Sequence, residues 1–333
     1  MKQLSYHSRF ILVLLFTLLN TLPICSQAAT PRYRIAACDW MMLKRQKLGE
    51  FKLAHELGAD GVEVDMGGLG KRVLFDNQLR EPQQAEKFQA AARQYGVAVP
   101  SMAMSGFFAQ SFLTRDNYQD LLKDCFLTMK LFGSKVAFLP LGGSGKDWQQ
   151  EGCAAYQQMV SRLRTAGEMA KQENITIGIR TGMGAKFDKK LLKKVGSSQI
   201  KVYYNFQDAA DHHRDICKEL RKLGAQRIVQ IHASNTDSVN LQEDPEINLP
   251  KIRKTLDKMK WSGWLVVERS RDVKMVAVDS RRWIKFLTDI LPRFSCELAA
   301  SLSDFEKRML QMFYITVFQE AADWRSHTAQ ANI

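Results

Sequence analysis

Three polar side chains that could bind a metal ion or a sugar lie near the ends of short apolar runs of this chain. They are Asn205, His232 and Glu268. An amide, an imidazole and a carboxylate that meet in one place can hold a divalent cation or the hydroxyl groups of a sugar. Burying the Glu268 carboxylate in an apolar strand would be costly without a cation or an arginine beside it. These residues are therefore the first candidates for a functional site.

Two of them also have an interpretation that involves no ligand. A single histidine after an apolar run is more often a hydrogen-bonded core residue than a ligand, and only the company of Asn205 and Glu268 favours a site for His232. Glu268 could instead belong to an ion network with Arg269 or Arg271. Both interpretations stay open at the level of sequence.

Further carboxylates lie in the earlier runs. Asp39 follows the first run, and Glu63 and Asp65 point to the same side of the second run because side chains alternate along a strand. One of the latter two could be a site carboxylate, or both could pair inside the fold with Lys44 or Arg45. The sequence contains no GxSxG, HExxH or catalytic Cys/His arrangement.

Eight short apolar runs must position these residues, and amphipathic helical stretches separate them. The runs are Arg34–Trp40, Gly61–Met66, Ala98–Ser105, Lys135–Leu141, Thr176–Thr181, Ile200–Phe206, Ile228–Ser234 and Trp264–Ser270. Continuous apolar runs of this length are typical of parallel strands covered on both faces. Eight such units predict an α/β protein of the (β/α)8 TIM barrel type over residues 34–291. An open doubly wound sheet is disfavoured because no GxGxxG follows the first run.

The predicted barrel has flanking segments of a different character. Lys2 and Arg9, the apolar run Phe10–Leu22 and the small residues up to Ala28 form a signal peptide over residues 1–28. The sequence therefore predicts a periplasmic or secreted protein with no membrane association after cleavage. A lipoprotein is disfavoured because a bulky Ile24 precedes Cys25.

Residues 292–333 are predicted to form a C-terminal helical extension. It opens with the capping box Ser303–Glu306 and continues with many large apolar residues. We expect this helix to pack on the barrel or to join two copies of the chain as a homo-oligomer.

Charge and cysteine content limit the function classes. The formal charge is +13, from 48 basic and 35 acidic residues, and loss of Lys2 and Arg9 with the signal peptide leaves +11. The basic residues are scattered on helical faces, which favours solvated surfaces over a nucleic-acid site. An anionic ligand remains open. The five cysteines left after cleavage contain no CxxC, which argues against a disulfide scaffold or a zinc knuckle.

Several motifs together are more specific than the fold. They are ACDWMMLKRQKLG, GADGVEVDMGGLGKR, VPSMAMSGFFAQSF, VAFLPLG, YYNF, QIHAS and KMKWSGWLVVERSRD. From about Ile35 to Asp272 the chain resembles the xylose isomerase-like (β/α)8 proteins described as sugar phosphate isomerases/epimerases, in particular their exported subgroup in Bacteroidetes-type bacteria.

The resemblance implies a metal set on strands five to eight, made of a Glu, an Asp or Asn, a His and a Glu. The last three fall on Asn205, His232 and Glu268, and the first falls on Arg180. In the family the first and last carboxylates also move the proton between sugar carbons, so the resemblance implies catalytic roles for Glu268 and for the residue at position 180. A guanidinium offers no acceptor and stays protonated, so Arg180 cannot ligate a cation or act as a base.

We therefore expect a sugar isomerase/epimerase-like barrel with an incomplete catalytic set and one divalent metal (Mn, Mg, Co or Zn) bound weakly or not at all. Either the chemistry is lost and a sugar-binding cleft remains, or Arg180 supplies the positive charge of the metal. A non-catalytic binder of an anionic sugar is the alternative. An AP endonuclease-like enzyme is disfavoured by export and by the few histidines. The candidate substrate-binding residues are Asp39, Glu63, Asp65, Asn205 and Arg269.

Overall fold

The structure, a computed structural model, describes residues 33–42, 45–56, 58–234 and 244–268. Eight parallel strands form a closed barrel in chain order, and the last strand pairs back onto the first. The strands are β1 (Tyr33–Cys38), β2 (Gly61–Asp65), β3 (Ser101–Ala103), β4 (Val136–Pro140), β5 (Thr176–Arg180), β6 (Ile200–Asn205), β7 (Ile228–Ser234) and β8 (Gly263–Glu268). The predicted (β/α)8 fold class is confirmed.

Helices connect the strands and cover the outside of the barrel. They are α1 (Asp39–Met42), α2 (Glu50–Glu56), α3 (Pro82–Tyr95), α4 (Tyr118–Phe132), α5 (Ala154–Gln172), α6 (Ala185–Val195), α7 (Phe206–Ala210), α8 (Ile216–Leu223) and α9 (Leu249–Lys258). Short 3-10 turns lie at Gln78–Arg80, Ser105–Phe108, Gly142–Ser144, Asp147–Gln149 and Ala225–Arg227. Within the described ranges, no helix combines the length and the apolar character that crossing a bilayer requires.

The helix α8 shows how sequence produces these elements. Asp215 caps its first turn by accepting the backbone N–H of Lys218 at 2.9 Å. Its apolar residues recur at helical spacing and are buried against the barrel, while the basic residues between them face solvent. The buried set is Ile216, Cys217, Leu220 and Leu223.

A missing side chain on β5 makes room inside the barrel. A Cβ at Gly178 would lie 2.9 Å from the Tyr203 ring and 2.8 Å from Val229. Glycine at this position therefore lets Tyr203 of the neighbouring strand pack close to β5, where its hydroxyl reaches the barrel interior.

The predicted strands agree with the structure except at some ends. The third is much shorter than predicted, because it begins after Pro100 and Ser105 opens a 3-10 turn. The first ends at Cys38, because Asp39 starts a helix. The predicted signal peptide, the C-terminal extension and the part of the predicted barrel beyond residue 268 lie outside the described residues.

Candidate functional site

A buried carboxylate, Glu63, organises the interior of the barrel below its mouth. Its Oε2 accepts the hydroxyls of Ser101 and Tyr203, each at 2.6 Å. Its Oε1 lies 2.7 Å from Nε2 of His232. Burial raises the pKa of Glu63, but the attraction of His232 and the hydrogen bonds outweigh it and hold the pKa below its usual value. Glu63 is therefore an ionised acceptor, and the imidazole Nε2–H donates to it.

A second cluster of charges lies at the mouth, at the carboxyl ends of β5, β6 and β8. Arg180 donates from Nε and Nη2 to the two oxygens of Asp208, at 2.8 and 2.7 Å. Its third nitrogen, Nη1, lies 3.5 Å from Oε2 of Glu268. The same Glu268 oxygen accepts the amide of Asn205 at 3.1 Å. The side chains of Arg180 and Glu268 are only 14% and 6% exposed, so this ion network is held largely out of water.

The two clusters meet at His232. Its Nδ1 lies 3.7 Å from Oε2 of Glu268, on the side of the ring opposite Glu63. Strand register brings the mouth residues together, because Asn205 pairs with His232 and Ser234 pairs with Glu268. The structure thus brings Asn205, His232, Glu268 and Glu63 into one connected group, although they are far apart in sequence.

The local sequence after β6 explains why Asp208 faces Arg180. Asn205 caps α7, and its Oδ1 accepts the backbone N–H of Asp208 at 3.1 Å. This turn directs Asp208 back toward the neighbouring strand β5. Burial lowers the pKa of Arg180, but Asp208 and Glu268 raise it more, so its net shift is upward and the guanidinium is charged.

Two other predicted substrate-binding residues hold loops in the structure. Asp39 Oδ2 accepts the backbone N–H groups of Asp65 at 2.9 Å and Gln46 at 3.1 Å. Asp65 accepts the hydroxyl of Ser105 at 2.7 Å and is paired with Arg45. Burial and the nearby Asp65 charge raise the pKa of Asp39 to about 8.

Of the two alternatives for the second-strand carboxylates, pairing with Arg45 therefore describes Asp65. Glu63 pairs instead with His232 across the barrel. Lys44 and Arg269 lie outside the described residues.

The residues that the resemblance assigns to a divalent metal do not fit one in this arrangement. The Asn205 oxygen already accepts the Ser234 hydroxyl at 2.7 Å and a backbone N–H, and its amide nitrogen donates to Glu268. The cation next to Glu268 is the guanidinium of Arg180. Arginine has no lone pair for a metal. The mouth residues therefore do not form a ligand set for a divalent metal.

A different donor set lies deeper in the barrel. Among the described residues, Cys38, Glu63 and His232 place a sulfur, an oxygen and a nitrogen within 4.8 Å of one another. All three side chains are buried.

Sequence reasoning did not single out Asp208, Ser101 or Tyr203. The three-residue spacing from Asn205 to Asp208 is typical of a helix N-cap and therefore predicts the start of a helix. It does not predict the contact between Asp208 and Arg180. Tyr203 precedes Asn205 by two residues and so shares its face of β6. Ser101 is a polar residue in an apolar run, and nothing else in the sequence indicates its contact with Glu63.

Known proteins share this barrel fold. A family model described as xylose isomerase-like TIM barrel matches residues 51–287. A comparison with functionally curated proteins finds no match. A xylose isomerase domain protein from Planctomyces limnophilus superposes with a TM-score of 0.55 at 14% identity, over 78% of this chain and 95% of that chain.

Two further similar structures belong to proteins that are described with different activities. D-psicose 3-epimerase from Clostridium cellulolyticum H10, solved with D-tagatose, gives a TM-score of 0.58 at 12% identity over 74% of this chain and 93% of its own. A family 2 AP endonuclease from Brucella melitensis superposes with a TM-score of 0.58 at 17% identity, over 77% of this chain and 98% of that chain. Similarity at these identities shows the fold, which supports many unrelated reactions.

Proposed function

Because this chain belongs to the xylose isomerase-like TIM barrel family, whose members often bind a divalent metal, we propose that it is an exported sugar isomerase/epimerase-like barrel with a metal-independent mouth. It takes a sugar or keto-sugar at the carboxyl ends of the strands, and by the resemblance Arg180 takes the position of a metal-binding carboxylate. The observation that carries this proposal is the contact between Arg180 Nη1 and Glu268 Oε2 at 3.5 Å. A fixed cation beside a carboxylate is the pair that carbonyl chemistry needs.

The proposed roles follow from the chemistry of the two side chains. Glu268 takes the proton from the carbon next to the sugar carbonyl and delivers it to the former carbonyl carbon, while the proton of the neighbouring substrate hydroxyl passes to the former carbonyl oxygen. The buried position of Glu268 keeps competing water away. Arg180 has five N–H donors, of which two donate to Asp208, and its Nη1 faces Glu268 at 3.5 Å. The remaining donors stabilise the negative charge that develops on the carbonyl oxygen.

The number of available carboxylates favours one kind of proton transfer. Asp208 is held by two hydrogen bonds from Arg180, whereas Glu268 accepts a hydrogen bond from Asn205 and faces Arg180 at 3.5 Å, so Glu268 is the carboxylate of this cluster that is more available as a base. A single base removes and returns a proton on the same face of an enediol. The arrangement therefore supports aldose–ketose isomerisation better than inversion at carbon, which needs bases on both faces.

The charges also bear on the alternatives. The single guanidinium of Arg180 faces two carboxylates, Asp208 and Glu268, so the cluster carries a net negative charge and favours a neutral sugar over an anionic one. For an AP endonuclease-like reaction a set of several histidines would be needed. Within the described strands, His232 is the histidine that the barrel carries.

Solvent deuterium exchange tests the proposal. The full mature chain is incubated in heavy water with a panel of neutral aldoses and ketoses, and deuterium at the carbon next to the carbonyl is measured by NMR. We expect exchange into at least one sugar, without added metal and in the presence of a chelator. Absence of exchange across the panel contradicts the proposal, and sugar binding without exchange would favour the non-catalytic sugar binder instead.

Two variants separate binding from chemistry. Glu268→Gln keeps the shape and a hydrogen-bonding group, so it should retain sugar binding and lose exchange at least a hundredfold. Glu151→Gln removes an exposed carboxylate that pairs with Lys190 and should change neither. Exchange that persists in Glu268→Gln would assign the base to another residue.

A further inference from the structure

We propose that Cys38, Glu63 and His232 form a binding site for one thiophilic divalent metal ion, Zn²⁺ in the first place, in the barrel interior below the mouth. This site goes beyond the proposed sugar chemistry and does not depend on Arg180. Thiolate, imidazole and carboxylate are the three ligand types that zinc takes in proteins.

Strand register places the three donors. Cys38 and Glu63 are paired residues on β1 and β2, and their side chains lie 3.9 Å apart from Sγ to Oε1. His232 approaches from β7, with Nε2 at 2.7 Å from the same oxygen. Zinc–ligand bonds of about 2.0–2.3 Å in a tetrahedral site put ligand atoms about 3.3–3.8 Å apart. To reach these separations, Nε2 and Oε1 must move apart by about 0.6 Å and Sγ and Oε1 must approach by a few tenths of an ångström, which are small side-chain movements.

The groups around the three donors already have the arrangement that supports metal ligands. The other oxygen of Glu63 is fixed by Ser101 and Tyr203, which leaves Oε1 to face the nitrogen and the sulfur. Nδ1 of His232 has no hydrogen-bond partner among the described atoms and faces Glu268 at 3.7 Å. With Nε2 on a metal, Nδ1–H would point toward that carboxylate, which is the usual way in which a protein orients a ligating histidine.

Charge balance favours the metal-bound state of this site over the metal-free state. A thiolate and a carboxylate together neutralise a divalent ion, and a neutral assembly is less costly to bury than an isolated charge. Around His232 lie the rings of Phe138 and Tyr203, with centroids at 4.6 and 4.3 Å. Burial and the nearby Glu63 raise the pKa of Cys38, and a bound metal would reverse this by stabilising the thiolate. The sulfur distinguishes this site from any metal held at the mouth.

Cobalt substitution tests the site directly. The full chain is stripped with a chelator and titrated with Co²⁺, which reports a bound thiolate by an intense near-ultraviolet charge-transfer absorption. We expect one equivalent of cobalt with this absorption, displaced by Zn²⁺. Cys38→Ser should abolish the absorption and weaken binding at least tenfold, and Glu63→Gln should weaken binding by a similar factor. Absence of the absorption in the unmodified chain, or its survival in Cys38→Ser, overturns the proposal.

Matched variants keep the result interpretable. Cys217→Ser removes another buried cysteine, on α8, and should leave the absorption unchanged. If Cys38→Ser does not fold, a chain in which Cys38 is the only cysteine must keep the full absorption, and its loss there overturns the proposal. The residues replaced in that chain are Cys25, Cys125, Cys153, Cys217 and Cys296.

The mouth chemistry is tested separately. Arg180→Glu should leave the cobalt–thiolate absorption in place, because Arg180 contacts Glu268 and Asp208 and none of the three donors. A lack of sugar exchange in the unmodified chain contradicts the proposed function and leaves the cobalt result intact. Loss of the absorption in Cys38→Ser supports the metal site whatever the outcome with sugars.

Discussion

At Arg180 one guanidinium meets two carboxylates, and that balance controls whether a hard divalent ion can bind at the mouth. A divalent and a unit charge about 4 Å apart repel by roughly 8 kcal/mol at an effective dielectric of about 20. Asp208 and Glu268 could offset this repulsion, but both already face Arg180 and would have to turn from it toward the ion. Arg180→Glu replaces this repulsion by a ligand. We expect Mn²⁺ affinity, measured by calorimetry, to rise at least tenfold.

The control for this prediction is Arg180→Gln, which removes the cation without adding a carboxylate. It should raise Mn²⁺ affinity less than Arg180→Glu does. Tight Mn²⁺ binding by the unmodified chain, unchanged on either substitution, would show that the guanidinium does not oppose a metal.

A second residue of interest is Asp188, whose carboxylate is buried beside the Arg180 cluster. Burial raises its pKa to about 7, while the Thr181 hydroxyl that donates to it opposes the shift. Between about pH 4 and pH 7 the folded state keeps a proton that the unfolded state has lost, so stability falls as pH rises through this window. Asp188→Asn removes the ionisation and keeps an acceptor for Thr181.

We expect Asp188→Asn to be more stable than the unmodified chain at pH 8, by about 1–4 kcal/mol, and close to it at pH 4. Urea unfolding at both pH values measures this. Asp120→Asn, at an exposed site on α4, should change little. If the free energy of unfolding of the Asp188→Asn variant depends on pH as strongly as that of the unmodified chain, the raised pKa of Asp188 is contradicted.

At the scale of elements, the packing of β5 against β6 sets the position of Tyr203 and through it that of Glu63. Gly178→Ala adds a Cβ within 3 Å of both Tyr203 and Val229. We expect a loss of about 1–3 kcal/mol in the free energy of unfolding, since a well-packed interior has no room for the methyl group. Thermal and urea unfolding measure it.

Gly68→Ala is the matched control for that substitution. A Cβ at Gly68 meets nothing within 4 Å. The Gly68→Ala substitution should change the free energy of unfolding by less than about 0.5 kcal/mol. A Gly178→Ala chain as stable as the control would show that β5 and Tyr203 can separate without loss.

At the scale of the whole molecule, the N-terminal pattern makes a prediction about where the protein resides. A basic start, a short apolar run and small residues before Ala29 predict cleavage after Ala28. Intact mass measurement of the protein from its native cells should find a chain that begins at Ala29 in the periplasmic or secreted fraction. A native chain beginning at Met1 in the cytosol would contradict export.

The strands and most of the residues at their ends can be predicted from local sequence, because a strand buried on both faces is a continuous apolar run. Arg180, Asn205, His232 and Glu268 could be assigned to one mouth on this basis, since all strands of a parallel barrel end on the same side.

The pairing of these groups, in contrast, follows from the three-dimensional arrangement of the strands. Glu63 meets His232 across 169 positions of sequence and Tyr203 across 140. Such contacts depend on closure of the barrel and on strand register, which no local pattern encodes. The same holds for Arg180, which is paired with Asp208 through the turn after β6. Residue types and strand ends are local properties, whereas the charge balance of the site arises from contacts between strands.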